Sequence, residues 1–237
     1  MQQKPAAVLF VHGIQGSPGQ FHFLAEALPG DIEVRNLLLP GHGAGAAEFR
    51  AAGRMDWLTA VRRETEALQD TGKRVFYVGH SMGCLLGLRI AAETDPYAGM
   101  LLLCCPFRIR ITPRYLSNGL RAAGPAKPGE PPDVTATREA NSVHRKHIAQ
   151  QLTLIHPYAE LLRLMAEARR LPNEAENLRF FFSERDEIVS PGSRALAAQA
   201  PHAAVCDLPG CTYNYFNNEA RQLLRRTLRS VISEGST

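Results

Sequence analysis

The sequence predicts an α/β fold in which a mainly parallel sheet carries helices on both faces. The first observation is that short, continuous apolar runs alternate with longer segments of helical character between residues 6 and 105. Such runs are typical of parallel strands that are buried on both faces. The second is that the connections are short, which implies right-handed crossovers between neighbouring parallel strands. The third is a strand, a sharp turn and a helix around Ser81.

The elements follow one another in a simple order. The first strand ends at His12-Gly13, and a glycine-rich loop leads from it into a helix. The second strand ends in the turn-dense sequence Pro40-Gly41-His42-Gly43, where glycine and proline mark a loop. The predicted strands cover residues 6–11, 32–39, 75–78, 100–105, 178–182 and 203–208, and the predicted helices of this core cover 20–28, 55–69, 82–92, 191–199 and 218–232.

Composition narrows the class of protein. The 237 residues are 45% hydrophobic, which suits one α/β domain with an insertion. The net charge of +4 is mild, and the arginine pairs lack interleaved aromatic residues, so we expect no nucleic-acid partner. No apolar run is long enough to cross a bilayer and no leader pattern is present, so we expect a cytoplasmic protein without stable membrane insertion.

The cysteines do not indicate a metal site. There are five of them, and Cys84, Cys104 and Cys105 lie in apolar helix or strand contexts, where cysteine packs as a small hydrophobic residue. No cysteine and histidine spacing matches a zinc site. We therefore expect no metal and no cofactor.

Residues 107–171 interrupt the alternation of strands and helices. A proline- and glycine-rich tract at 121–132 is followed by predicted helices over 134–151 and from 157 onwards, the second with Tyr158, Leu161, Leu162 and Met165 on one side. The excursion is too long for a simple crossover. We predict a helical cap at 107–171, inserted into a core formed by 1–106 and 172–237, with apolar faces that line an acyl pocket. The alternative is ordinary packing of a crossover helix against the core.

The turn at Ser81 contains the candidate nucleophile of the chain. Gly79-x-Ser81-x-Gly83 follows an apolar strand and precedes a helix of small and apolar residues, which is the context of a nucleophile elbow. The two glycines suit a tight turn in which a Cβ would strike neighbouring backbone. Such a turn lifts the serine hydroxyl to the top of the sheet, at the N-terminus of a helix.

These motifs together resemble those of the α/β-hydrolase superfamily, specifically the small carboxylesterases and monoacylglycerol-lipase-like serine hydrolases. The resemblance covers nearly the whole chain and rests on four motifs. They are His12-Gly13, the sequence from Leu39 to Gly43, the turn at 79–83, and Asp186-x-x-Val189 after the fifth strand. The chain departs from the family at its start, because it lacks the initial antiparallel hairpin.

The resemblance implies an α/β-hydrolase fold and a serine hydrolase. Ser81 would be the nucleophile, and the backbone N–H groups of Ile14 and Met82 would form the oxyanion hole, where fixed donors stabilise the charge that develops on the substrate. Asp186 would be the acid that orients a histidine. The implied reaction is hydrolysis of a carboxylic ester with a small to medium acyl chain through an acyl-Ser81 intermediate.

The third catalytic residue departs from the family pattern. A histidine is expected in the loop before the last helix, but no histidine follows His202, and the expected position falls on Tyr213, with Thr212 the next choice. A tyrosine, with a pKa of ~10 against ~6.5 for histidine, does not take the serine proton at neutral pH. The sequence therefore predicts an impaired esterase.

Three explanations of the missing histidine stay open. The first is a change of a histidine codon to tyrosine by one base, in nature or by an experimenter. The second is that His202 or a cap histidine (His144, His147 or His156) folds in as the base. The third is a non-catalytic hydrolase-fold protein that binds a small acyl or apolar ligand. The expected partner is a small ester or acyl compound, thioester and peptide substrates stay open, and either a monomer or a homodimer is compatible with the sequence.

Overall fold

The core of the protein is one parallel sheet. The computed structural model describes residues 4–143, 154–171, 175 and 177–234. Within them the sheet has six strands in the order β2-β1-β3-β4-β5-β6, and every neighbouring pair is parallel. This confirms the predicted α/β class. The strands are β1 (Ala6–Val11), β2 (Glu33–Leu37), β3 (Arg74–His80), β4 (Tyr97–Leu103), β5 (Leu178–Ser183) and β6 (Ala203–Leu208).

Helices connect the strands and cover the sheet. A 3-10 turn at Pro18–Phe21 precedes the first of them. The helices are α1 (His22–Ala25), α2 (Ala46–Ala51), α3 (Arg54–Asp70), α4 (Met82–Thr94), α5 (Pro113–Ala123), α6 (Pro132–Ala140), α7 (Ile155–Ala168), α8 (Pro191–Ala197) and α9 (Asn218–Glu234).

The middle strands form the buried core. All six residues of β1 are buried, as are most residues of β3 and β4, which explains their uninterrupted apolar sequence. Trp57 of α3 is fully buried and its indole N–H donates to the carbonyl of Pro40 at 3.1 Å. This bond holds the loop after β2 against α3.

The strand register brings the functional loops to one edge. Val11 pairs with Gly79 and His80 pairs with Leu103, so β1, β3 and β4 end side by side. Ser183 at the end of β5 pairs with Leu208 at the end of β6. The loops that carry Ser81, Asp186 and Tyr213 therefore leave the same edge of the sheet.

Most predicted helices of the core agree with the structure to within two residues at each end, and two predicted helices differ more. The helix predicted over 20–28 is divided into the 3-10 turn and the short α1, which ends at Ala25. The helix predicted over 134–151 ends at Ala140, because Asn141 is extended with ψ 123°. The part of that prediction from 144 to 151 lies outside the described residues.

The inserted segment contains α5, α6 and α7. The prediction for the faces of α7 was wrong in one residue, since Leu161, Leu164 and Met165 are buried while Leu162 is 53% exposed. The buried face packs against α2, α3 and α4 and so closes the core. Helices α5 and α6 pack on each other, and α6 also contacts the 3-10 turn.

Candidate active site

Ser81 occupies a strained turn between β3 and α4. Its φ of 52° and ψ of −118° lie in a region that non-glycine residues rarely adopt, at a cost of about 1–3 kcal/mol. A Cβ added at Gly83 would lie 2.0 Å from the carbonyl oxygen of Val11, and one at Gly79 would lie 2.8 Å from the backbone N of Cys84. The two glycines therefore let the turn pack against β1 and the start of α4.

Tyr213 reaches the serine hydroxyl. Its phenol donates a hydrogen bond to Ser81 Oγ at 2.5 Å, and both side chains are buried. Burial raises the pKa of Tyr213 well above its usual value, and the nearby carboxyl of Asp186 raises it further. The phenol is therefore protonated at neutral pH and acts on Ser81 as a donor.

Asp186 is buried near the same two residues. Its Oδ1 accepts hydrogen bonds from the backbone N–H groups of Ile188 at 2.8 Å and Val189 at 2.7 Å. Its Oδ2 is buried and has no hydrogen-bond partner in the described part of the chain. Burial raises the pKa of Asp186 to about 6, and the adjacent Glu187 contributes to the increase.

The unpaired oxygen of Asp186 indicates what the site lacks. A buried carboxylate oxygen without a donor is costly, so native structures seldom leave one. In a serine–histidine–aspartate site, the imidazole donates one N–H to the aspartate and takes the serine proton with its other nitrogen. A phenol has one polar atom and cannot do both. With Tyr213 on Ser81, Asp186 has no imidazole donor, and the side chain that lies near its carboxyl group is the weakly donating thiol of Cys104.

The loop after β1 lies over the serine. A Cβ added at Gly13 would be 2.9 Å from the Cβ of Ser81. Among the described residues, no acceptor is found for the backbone N–H of Ile14, next to Gly13, or of Met82, the first residue of α4. Free N–H groups in this position, one of them at a helix N-terminus, suit a developing oxyanion.

Three contacts hold this loop in place. The backbone N–H of Gln15 donates to His42 Nε2 at 3.1 Å, the N–H of Ser142 donates to the carbonyl of Gln15 at 2.8 Å, and the Ser142 hydroxyl donates to the carbonyl of Gly16. Sequence reasoning missed Ser142, because nothing near residue 142 indicates a contact with residues 15 and 16. His42 also contacts the carbonyl of Pro40 at 3.2 Å in its own turn.

The histidines near the elbow act as structural groups. His12 Nδ1 is 2.8 Å from the carbonyl of Gly13 and its Nε2 accepts from the backbone N–H of Leu39 at 3.1 Å. His80 Nε2 is 2.9 Å from the carbonyl of Tyr213. Burial lowers the pKa of His12 to about 3 and the pKa of His80 to about 4. Both rings are therefore neutral at physiological pH.

The two other candidate bases in the described part of the chain, His156 and His202, do not lie on Ser81. His202 is exposed and precedes β6, at the end of the sheet opposite to the serine. His156 of α7 lies beside Gly53, since a Cβ added there would be 3.4 Å from its Cε1. His144 and His147 lie outside the described residues.

A cavity of about 360 Å³ adjoins this region. It is bounded by His80 and Leu103 at the ends of β3 and β4, by Asn214 and Phe216 after Tyr213, and by residues of the 3-10 turn and α6. Its position beside the loop of Tyr213 makes it a candidate for ligand binding.

The fold and the site define a class of protein. In this class a serine lies on a strained turn at the carboxyl edge of a parallel sheet, with its hydroxyl next to the N-terminus of a helix. The match to the model of the alpha/beta hydrolase family extends over residues 8–225. The chain belongs to the alpha/beta hydrolase family.

Several known proteins are similar to the chain. A thermostable monoacylglycerol lipase from Bacillus sp. (strain H-257) is 27% identical over 197 residues, which cover 82% of this chain and 76% of that protein. Among solved structures, one from work on LipS and LipT, two metagenome-derived lipolytic enzymes, has a TM-score of 0.73 at 21% identity and covers 98% and 95% of the two chains. The monoacylglycerol lipase of Paleococcus ferrophilus has a TM-score of 0.69 at 20% identity, with coverage of 98% and 96%.

The described residues contain neither a cluster suited to a metal ion nor a helix suited to span a membrane. No group of three or more histidine, cysteine, aspartate or glutamate side chains is arranged to hold a metal ion. No helix in this part of the chain has the length and hydropathy needed to cross a bilayer.

Proposed function

We propose that the protein is a serine hydrolase scaffold for carboxylic esters, with Ser81 as nucleophile, Asp186 as acid and position 213 as the site of the base. The observation that carries the proposal is the hydrogen bond from the Tyr213 phenol to Ser81 Oγ. It supports the assignment because the side chain of residue 213 reaches the serine from the loop in which the family has its histidine. The N–H groups of Ile14 and Met82 would hold the oxyanion.

Tyr213 makes this chain a slow esterase. A serine hydroxyl is a weak nucleophile without an adjacent base, and here the neighbouring group donates a proton instead of accepting one. Positioned donors and substrate binding alone leave about 10³–10⁴-fold catalysis over water. We therefore expect residual hydrolysis that depends on Ser81.

The substrate class follows from the relatives. Monoacylglycerol lipases and lipolytic enzymes are among the similar proteins, which favours esters of glycerol and other small alcohols. We infer that the segment 107–171 caps the site, since α6 borders the cavity next to His80. The described cysteines are all free, which favours a reducing compartment such as the cytoplasm.

The test is the Tyr213→His variant. An imidazole at this position can accept the Ser81 proton and donate to the free Oδ2 of Asp186, so kcat/KM for a short-chain p-nitrophenyl ester should rise by about 10³-fold or more. Hydrolysis is followed at pH 7.5 for the chain as given, for Tyr213→His and for Ser81→Ala in both backgrounds.

Each outcome decides between the explanations. If Tyr213→His is fast and Ser81→Ala abolishes its activity, residue 213 is the base position. If the chain as given is already fast and the variant is no faster, another group serves as base and the assignment of residue 213 is wrong. If all variants match the Ser81→Ala control, the esterase proposal fails.

One observation favours a second function, a non-catalytic protein that binds a small acyl or apolar ligand. The phenol of Tyr213 is hydrogen-bonded to the serine hydroxyl, and the adjacent cavity of about 360 Å³ is open. Such a protein would bind an acyl compound with the same affinity in the chain as given and in Ser81→Ala. Titration calorimetry with a short monoacylglycerol would separate this function from slow turnover.

A further inference from the structure

Two loops at the edge of the sheet are tied to each other. The acid loop (residues 184–189) follows β5 and carries Asp186, and the tyrosine loop (residues 209–215) follows β6 and carries Tyr213. Two backbone bonds join them near their origins, from Glu184 N to the Leu208 carbonyl at 3.1 Å and from Arg185 N to the Cys211 carbonyl at 2.9 Å.

Two carboxylates extend this connection into the tyrosine loop. Glu184 Oε2 accepts from the backbone N–H of Gly210 at 2.8 Å, and Glu187 Oε2 accepts from the backbone N–H of Tyr213 at 3.2 Å. The acceptors are three residues apart in one loop and the donors are three residues apart in the other. The acid loop therefore binds the tyrosine loop along its length.

The two carboxylates differ in environment. Glu184 is exposed, so water can replace it. Glu187 is 4% exposed, and its own carbonyl accepts from the hydroxyl of Thr112 at 2.9 Å. Burial makes the bond from Glu187 to residue 213 difficult to replace, because without it the N–H would be left unpaired.

We propose that Glu187 is a positioning residue of the active site, which fixes the backbone of residue 213 so that its side chain meets Ser81. The inference rests on the proposed function of residue 213. Asp186 and Glu187 then act on different parts of residue 213. Asp186, whose Oδ2 has no partner in the described part of the chain, is close enough to raise the pKa of Tyr213, and Glu187 holds the main chain of the same residue.

The consequence for catalysis is geometric. A base must lie within hydrogen-bond reach of the serine, and a displacement of about 1 Å can cost about 10²-fold in rate. In the described contacts Glu187 bonds neither to Ser81 nor to the cavity where a substrate would bind. Its loss should therefore lower kcat and leave KM nearly unchanged.

The experiment compares two variants of similar size in the active Tyr213→His background. Glu187→Gln keeps an oxygen acceptor, whereas Glu187→Met has none. Glu187→Met should lower kcat for the p-nitrophenyl ester by about 10²-fold with KM changed less than about twofold, and Glu187→Gln should retain most of the activity. Equal kcat in the two variants would overturn the proposal, and so would a loss confined to KM.

Glu184 supplies the matched control. Glu184→Met removes the same kind of carboxylate-to-backbone bond from the same loop, but at an exposed position where water can take its place. We expect kcat within about threefold of the parent, because the geometry at residue 213 is kept. A loss as large as that of Glu187→Met would mean that general loosening of the loop, and not Glu187, is responsible.

A second measurement does not depend on activity. In the chain as given, hydrogen exchange of the Tyr213 amide should be at least about tenfold faster in Glu187→Met than in Glu187→Gln, since only the latter still protects the N–H. If Tyr213→His is inactive but this difference is found, the proposed function fails while the structural role of Glu187 stands. If exchange is the same in both variants, the positioning role is wrong.

Discussion

The carboxyl group of Asp186 is buried, and only its Oδ1 accepts hydrogen bonds in the described part of the chain. Burial raises its pKa from an ordinary value of 3.8 to about 6, so the folded state holds the proton more tightly than the unfolded state. The protonated carboxyl therefore makes its full contribution to the free energy of unfolding at low pH, and this contribution is lost as the pH rises from about 4 to about 6. The ionised carboxylate costs the folded chain about 3 kcal/mol at neutral pH, by the conversion of the pKa shift.

Replacing this carboxyl should stabilise the chain as given. Asp186→Asn keeps an oxygen for the N–H groups of Ile188 and Val189 but has no charge. Its gain in free energy of unfolding over the parent, measured by urea denaturation, should grow as the pH rises from about 4 to about 6 and then level off. Glu66→Gln, at an exposed helical carboxyl, serves as the control. A gain that is independent of pH would contradict the buried, unpaired state of Asp186.

Single residues differ in how far the sequence predicts them. Ser81 and its flanking glycines are recognisable because a local turn requires them, and Tyr213 follows from counting along the loop after β6. Glu187 and Ser142 were not predicted as site residues. Each acts through one hydrogen bond to a residue far along the chain, Glu187 to Tyr213 and Ser142 to Gly16, and no local pattern accompanies such a bond.

At the scale of elements, the loop after β1, which carries the proposed oxyanion donor Ile14, depends on the residues directly after α6. Ser142 donates to the carbonyls of Gln15 and Gly16 and accepts from the N–H of Gly43 at 3.3 Å. One side chain thus joins the loops after β1 and β2 to the inserted segment. A small movement of this segment would change the position of the Ile14 N–H.

Ser142→Ala should therefore weaken catalysis in the Tyr213→His background. We expect kcat for the p-nitrophenyl ester to fall about tenfold, because a fixed oxyanion donor is worth about 10²–10³ and is here displaced without being removed. The free energy of unfolding should fall by about 1–2 kcal/mol. Ser117→Ala, on the exposed side of α5, is the control. Unchanged kcat in Ser142→Ala would show that the loop is held without it.

The predicted bounds of the strands match the structure unevenly. β1, which is buried throughout, and the edge strand β6, which is only partly buried, have the predicted bounds. The buried strand β4 was predicted at 100–105 but covers Tyr97–Leu103, because the apolar run continues past the point where the chain leaves the sheet. The helices of the inserted segment were predicted less well. Their ends depend on tertiary contacts, such as the bond from Ser142 N to the Gln15 carbonyl just after α6 ends, which the sequence around 141 does not reveal.

At the scale of the whole molecule, neutral buried histidines govern the response to acid. Burial lowers the pKa of His12 to about 3 and the pKa values of His42 and His80 to about 4, against an ordinary value of 6.5. The unfolded chain therefore binds protons that the folded chain does not. Stability falls as the pH drops from about 6.5 towards 4.

Acid unfolding should follow from this imbalance. Over the full interval His12 contributes about 5 kcal/mol and His42 and His80 about 3 kcal/mol each. Together they are comparable with the usual stability of a domain, so the midpoint should lie between about pH 4 and pH 5.5. Circular dichroism during an acid titration gives the midpoint. His42→Gln should shift it to lower pH, whereas His202→Gln, at an exposed position, should not. A chain that remains folded at pH 3.5 would contradict this account.

The two outermost strands have a consequence for how copies of the protein meet. Among the described strands β2 and β6 end the sheet, and neither has a second neighbouring strand there. Glu33 and Arg35 of β2 pair with each other at 2.8 Å, and Asp207 of β6 pairs with Arg194 at 2.7 Å. A strand from another molecule would have to strip water from these charges to bind there. Edge-to-edge polymerisation in concentrated solution is thereby disfavoured, although the backbone hydrogen bonds that it needs are available.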